Sequence, residues 1–139
     1  MRILLDASAA IAWLAPGQRT ASSEALLSEA HRHRFEAPHI FPAEVRNVLL
    51  KLEQRGRIDA FFTGQALEGL AAYDIGIEAP PGLAVYDAIL DLARRERLSV
   101  YDALYLWQAM RNGVALASRD ADLLSAATAN SVASFDLRS

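Results

Sequence analysis

The chain contains no cysteine. That excludes disulfide staples, thiolate metal ligands and a cysteine nucleophile. Lysine is almost missing as well: Lys51 is the only one among 14 basic residues. The 17 acidic residues outnumber the basic ones and leave a formal net charge of −3. A broad, non-specific grip on nucleic-acid phosphate is therefore not expected, although a local arginine surface is compatible with this balance. No uncharged stretch approaches the ~20 apolar residues that would span a bilayer. The apolar run Ile3-Leu4-Leu5 follows Arg2 in the manner of a signal peptide, but Asp6 interrupts it at once. These absences predict a soluble, cytoplasmic chain without membrane association.

What is present is a large apolar fraction. Of 139 residues, 53% are hydrophobic and 22% are charged, enough to bury a core without staples. There is no internal repeat, low-complexity tract or dividing linker, so a single domain over residues 1–139 is expected. Short β-like runs alternate with longer helical ones, which predicts an α/β fold with a mostly parallel sheet. Strands are expected at residues 2–5, 35–37, 73–77, 114–117 and 132–135. Helices are expected at 7–14, from Ser22 or Ser23 to 31, and at 42–55, 59–70, 83–95, 100–111 and 120–129. Pro16-Gly17 should stop the first helix, Ser99 should cap the sixth, and Asn112-Gly113 should end it.

Four carboxylates stand at unusual places in this pattern. Asp6 follows directly on the first strand, and Asp120 lies three residues after Ala117 at the end of the fourth. In an open parallel sheet the strand C-termini share one edge, and ligands bind there. Glu44 has Phe41 and Val48 as helical neighbours and so borders an apolar stripe, where an ionised carboxylate needs a cation or donated hydrogen bonds. Asp102 occupies the first turn of the helix that Ser99 caps. Each of the three aspartates also has a capping role open to it, and Glu44 has a route to solvent. The roles are compatible, because a helix N-terminus keeps a carboxylate ionised. Together, several carboxylates at one edge would repel one another, and a divalent cation relieves that. All-oxygen ligation suits Mg²⁺ or Mn²⁺.

Four segments in order carry a family resemblance: Leu4-Leu5-Asp6-Ala7-Ser8, Pro42-Ala43-Glu44-Val45-Arg46-Asn47, Tyr101-Asp102-Ala103-Leu104-Tyr105, and Leu116-Ala117-Ser118-Arg119-Asp120 continuing to Leu123. They resemble the PIN-domain nucleases, and within them the VapC toxins of type II toxin–antitoxin pairs. The resemblance implies a three-layer α/β/α sandwich with a central, mostly parallel sheet. It implies Mg²⁺ or Mn²⁺ held by Asp6, Glu44, Asp102 and Asp120 as the catalytic acids, with the Ser8 and Ser118 hydroxyls supporting them. It further implies an endoribonuclease that hydrolyses RNA phosphodiester bonds, forms a homodimer and is inhibited by a cognate antitoxin protein. Asp122 is a spare acid beside Asp120, and the spacing to Leu123 favours Asp120.

No histidine is needed for such chemistry, and His31, His33 and His39 read as surface or loop residues. Tyr101 and Tyr105 read as packing residues. Candidates for phosphate contact are Arg46, Arg55 and Arg57 around the Glu44 helix, Arg94-Arg95 with Arg97, and Arg119, which has the best claim because its neighbour Asp120 is a candidate ligand. Residues 26–31 and 45–52 have a periodicity that suits either a groove for an antitoxin segment or ordinary core packing. Other functions compatible with the residues are a non-catalytic PIN module that binds RNA or protein, and a PIN nuclease acting on DNA or structured nucleic acid. A phosphoacceptor receiver fold lacks its acidic pair ahead of Asp6 and a well-placed lysine.

Overall fold

The computed structural model describes residues 1–15 and 17–139. Among them are five strands: β1 (Arg2–Leu5), β2 (Arg34–Ala37), β3 (Gly76–Ile77), β4 (Ala115–Ser118) and β5 (Ser134–Asp136). They form one sheet in the order β3-β2-β1-β4-β5, and every pairing is parallel. Seven α-helices accompany them: α1 (Ala7–Leu14), α2 (Ala21–Ser28), α3 (Phe41–Gln54), α4 (Ala60–Ala71), α5 (Leu83–Glu96), α6 (Val100–Asn112) and α7 (Ala121–Ala129).

Parallel strands need crossover connections, and these are right-handed. The chain steps from β1 to β2 to β3 in one direction, which puts α1 to α4 on one face. It then passes back to β4 and on to β5, which puts α5 to α7 on the other. The packing agrees: α1 contacts α2, α3 and α4, whereas α6 contacts α5 and α7. The result is the expected α/β/α arrangement. In β1, at its centre, Ile3, Leu4 and Leu5 are all fully buried, as a strand covered on both faces must be. The direction of travel reverses between β1 and β4, so a crevice opens beyond their C-terminal ends. This order also differs from the 2-1-3-4-5 order of the receiver fold.

Local signals account for most element ends. Asp59 caps α4 and Ser99 caps α6, each through its side chain. Gly113 ends α6 with φ 63°, a left-handed conformation that suits glycine. Three expectations need correction. The strand predicted for 73–77 is only Gly76–Ile77. Asp74 adopts φ 51°, which breaks the extended run, and Tyr73 packs its ring against Trp13 and Phe35. The last strand lies two residues later than predicted at its start, after a left-handed Ser131 at φ 59°. The cap of α2 is Thr20 rather than Ser22 or Ser23: its hydroxyl accepts from Ser23 N, while the Ser23 hydroxyl accepts from Thr20 N. Serine at the third helical position thus completes a capping box. That helix stops at Ser28 and gives way to a 3-10 turn, Ala30–Arg32. The predicted stop at Pro16 lies outside the described residues.

Leu4 sits in the central strand with no exposure, whereas Leu50 on α3 is 48% exposed. Leu4→Ala should lower unfolding free energy by ~3 kcal/mol. Leu50→Ala should cost under ~1 kcal/mol. Urea denaturation of the two variants checks the difference.

Candidate functional site

Four helix N-termini meet at the C-terminal edge of the sheet, and each brings one acid. Asp6 caps α1 and Asp120 caps α7; their side chains accept from Ala9 N and Leu123 N at 2.8 and 2.9 Å. Glu44 lies in the first turn of α3 and Asp102 in the first turn of α6. All four line one cavity of about 440 Å³, together with Ser8, Gln18, Tyr105 and Arg119. The aligned helix dipoles favour negative charge at each of these positions.

The most buried of the four acids is Asp6. It is only 5% exposed. Its Oδ1 accepts from the Ser8 hydroxyl at 2.7 Å as well as from Ala9 N, and its Oδ2 accepts from the Ser118 hydroxyl. Ser118 in turn accepts from Asp120 N, and Ser8 accepts from Arg119 N, both at 2.9 Å. Two serines therefore tie the end of β1 to the end of β4. Ser8 and Ser118 stand against Asp6, where they orient its carboxylate.

Electrostatically the cavity centres on Asp102. Burial raises the Asp6 carboxyl to about 6; the two serines and Ala9 N oppose this, and the Asp102 charge adds to it. Burial also raises Glu44, with Tyr105 opposing and Asp102 again adding. Asp102 is raised by burial, then by Asp120 and, more weakly, by Asp122. Tyr105 is almost fully buried, and burial followed by the Glu44 charge pushes its phenol far up. The Tyr105 hydroxyl and Glu44 Oε1 influence each other, yet neither completes a hydrogen bond of normal geometry. A buried carboxylate oxygen without a partner is costly. It marks a place for a cation or a donor.

The donor set fits a hard divalent cation: four carboxylates, all oxygen, in a cleft with room for water and phosphate. The side chains are splayed, however. Among the described residues no three acids or histidines are close enough to enclose one ion. Side-chain rotations would have to close the set around a cation.

Other candidates fall elsewhere. Arg119 lines the cavity, but Arg46 does not: it is exposed, donates to the Pro42 carbonyl at 3.0 Å and borders a different groove between α3 and α4. Asp122 is exposed and outside the lining. His39 shares a hydrogen bond with the Tyr86 hydroxyl at 3.1 Å and is not among the residues that line the cavity. Sequence reasoning missed Gln18 and the polar side of Tyr105. The first lies in a loop without periodicity. The second was signalled by its position three residues after Asp102, on the same helix face.

A family model for the PIN domain matches residues 3–129. Exonuclease VapC9 of Pyrobaculum aerophilum is 30% identical over 94 residues, covering 68% of each chain. The crystal structure of PAE2754, also from Pyrobaculum aerophilum, superposes with a TM-score of 0.71 at 26% identity, covering 91% of this chain and 79% of that one. FitAcB of Neisseria gonorrhoeae superposes with a TM-score of 0.65 at 22% identity, covering 98% of both chains, and shares the fold.

The raised Asp6 carboxyl makes stability depend on pH. Between its ordinary value of 3.8 and about 6, the folded chain keeps a proton that the unfolded chain has lost. In chelator, stability should therefore fall as pH rises through that window, by up to ~3 kcal/mol, and then level off. Asp6→Asn should reduce this slope, leaving the part that the raised Glu44 and Asp102 contribute. Urea unfolding from pH 4 to 7 in EDTA measures both; an unchanged slope contradicts the assignment.

Proposed function

The chain belongs to the PIN-domain family, and on that premise we propose that it is a Mg²⁺- or Mn²⁺-dependent endoribonuclease, the toxin of a type II toxin–antitoxin pair. One observation carries the reading. Four carboxylates from four separate helices line a single cavity at the strand C-termini, and no arginine or lysine among the described residues pairs with any of them. Such a cluster is poorly suited to stability alone and well suited to a cation.

Asp6, Glu44, Asp102 and Asp120 are the residues that would hold the ion. A bound divalent cation neutralises charge on phosphoryl oxygens and makes water more acidic. The protein's own contribution is positioning. Ser8, Ser118 and Ala9 N hold Asp6 in one orientation, and Leu123 N holds Asp120. Tyr105, almost fully buried, lines the cavity together with Glu44. Arg119 supplies the cation of the lining, a fork suited to a phosphate oxygen pair. Asp6, Glu44 and Asp102, whose carboxyls burial raises, would gain most from a cation that favours their charged form.

The VapC name of the 30% identical relative supports the toxin role and, with it, an antitoxin partner. The same relative is named an exonuclease, which favours a second reading in which RNA is shortened from an end. A non-catalytic RNA- or protein-binding module is disfavoured by the full set of four acids.

Purified protein with Mg²⁺ or Mn²⁺ should cleave both linear and circular RNA, and EDTA should stop it. Cleavage of linear RNA alone selects the exonuclease reading, and cutting of DNA but not RNA redirects the substrate class. Asp6→Asn and Asp102→Asn should each reduce the rate at least ~100-fold while circular dichroism stays unchanged. Wild-type rates in both variants would remove these residues from the site. Expression of the chain alone should slow growth, and a small neighbouring gene should relieve it.

A further inference from the structure

We propose that Gln18 is a positioning residue that holds the Arg119 guanidinium off the carboxylates, so that the cavity keeps a negative cluster for a cation and a separate positive charge for a phosphate. The inference rests on the metal-nuclease reading and deepens it.

Arg119 lies between Ser118 and Asp120, and its backbone N donates to the Ser8 hydroxyl that itself donates to Asp6. Its backbone is thus one residue from one candidate ligand and one hydroxyl from another. A guanidinium on a long stem, anchored among four acids, should fall onto a carboxylate and form a charge-assisted pair. Other arginines of this chain do so with acids in reach: Arg2 with Glu36, Arg94 with Asp91, Arg138 with Asp136. Arg119 does not. Its Nη1 donates to Gln18 Oε1 at 2.7 Å, and among the described residues no carboxylate lies within ion-pair distance of it.

Gln18 is placed for this by its own loop. Its N donates to the Ala15 carbonyl at 3.2 Å, and the neighbouring Arg19 donates to the Trp13 carbonyl at 2.8 Å. Both bonds tie the loop to the end of α1. A neutral amide is also the right partner chemically. It accepts from the guanidinium with good geometry yet leaves its positive charge intact for a phosphate. An acidic residue there would neutralise that charge. Without any acceptor, Arg119 becomes an internal cation that competes for the acids.

Calorimetric titration of the metal-free protein with Mn²⁺ tests this. Gln18→Met keeps the side-chain size and removes the strong acceptor. It should weaken Mn²⁺ binding about tenfold, in the range found when a partner of a metal ligand is lost. Adding Arg119→Ala to Gln18→Met should restore the parent affinity, and Arg119→Ala alone should bind Mn²⁺ at least as tightly as the parent. A structural role for Gln18 predicts no such rescue. If the parent binds Mn²⁺ but Gln18→Met binds it equally, or the double variant stays weak, the positioning role is overturned and the metal reading stands. If the parent binds no Mn²⁺, both fall. Gln18→Ala replaces Gln18→Met should that variant not fold. Failure of both to fold makes Gln18 a structural residue and overturns the proposal.

Discussion

The Ser118 hydroxyl donates to Asp6 and accepts from Asp120 N, and through it the ends of β1 and β4 become one unit. Everything at the site depends on this link. β1 and β4 are parallel neighbours whose connections leave in opposite directions, so no helix covers the gap beyond their ends. The serines fill that gap with hydrogen bonds where a side-chain core is impossible. Because Ser118 is fully buried and Asp6 nearly so, the arrangement has little freedom to drift. On its Asp6 side the cavity is held by side-chain and backbone hydrogen bonds. It is less constrained around Glu44 and Asp102, whose carboxylates lack comparable anchors.

That asymmetry has an electrostatic counterpart. Burial raises all three of Asp6, Glu44 and Asp102, and Asp102 is the charge the other two share. A cluster of this kind opposes folding at neutral pH, and the helix N-termini offset only part of that cost. Proteins retain such unfavourable groups where function needs them. The cavity also holds one guanidinium, tethered to a neutral amide rather than to an acid. Positive and negative charges lie side by side without cancelling, an arrangement suited to a ligand that carries both a cation and an anionic ester.

Several parts of this were legible in the chain itself. Asp6 and Asp120 directly follow or closely follow apolar runs, and strand-end acids can be located from hydrophobic pattern alone. Ser99 and Gly113 punctuate α6 with residue types whose conformations are nearly obligatory, so Asp102 falls in its first turn without knowledge of the fold. The short strand β3 was overestimated because alternation in Tyr73–Ile77 reflects aromatic packing onto Trp13 and Phe35, not pairing. Arg46 illustrates the reverse limit. Only Val45 separates it from Glu44, but on a helix a two-position step turns the side chain to another face, toward the α3–α4 groove.

The sequence by itself determined the α/β class, the ends of most helices and the identity of four acids, because periodicity, capping and turn chemistry act over a few residues. Only the tertiary structure decided that those acids face one cavity. They are spread along the chain from Asp6 to Asp120, and strand order, not spacing, brings them together. The same holds for the anchoring of Asp6 by Ser118 and of Arg119 by Gln18, where each partner comes from a distant connection and no local pattern announces it.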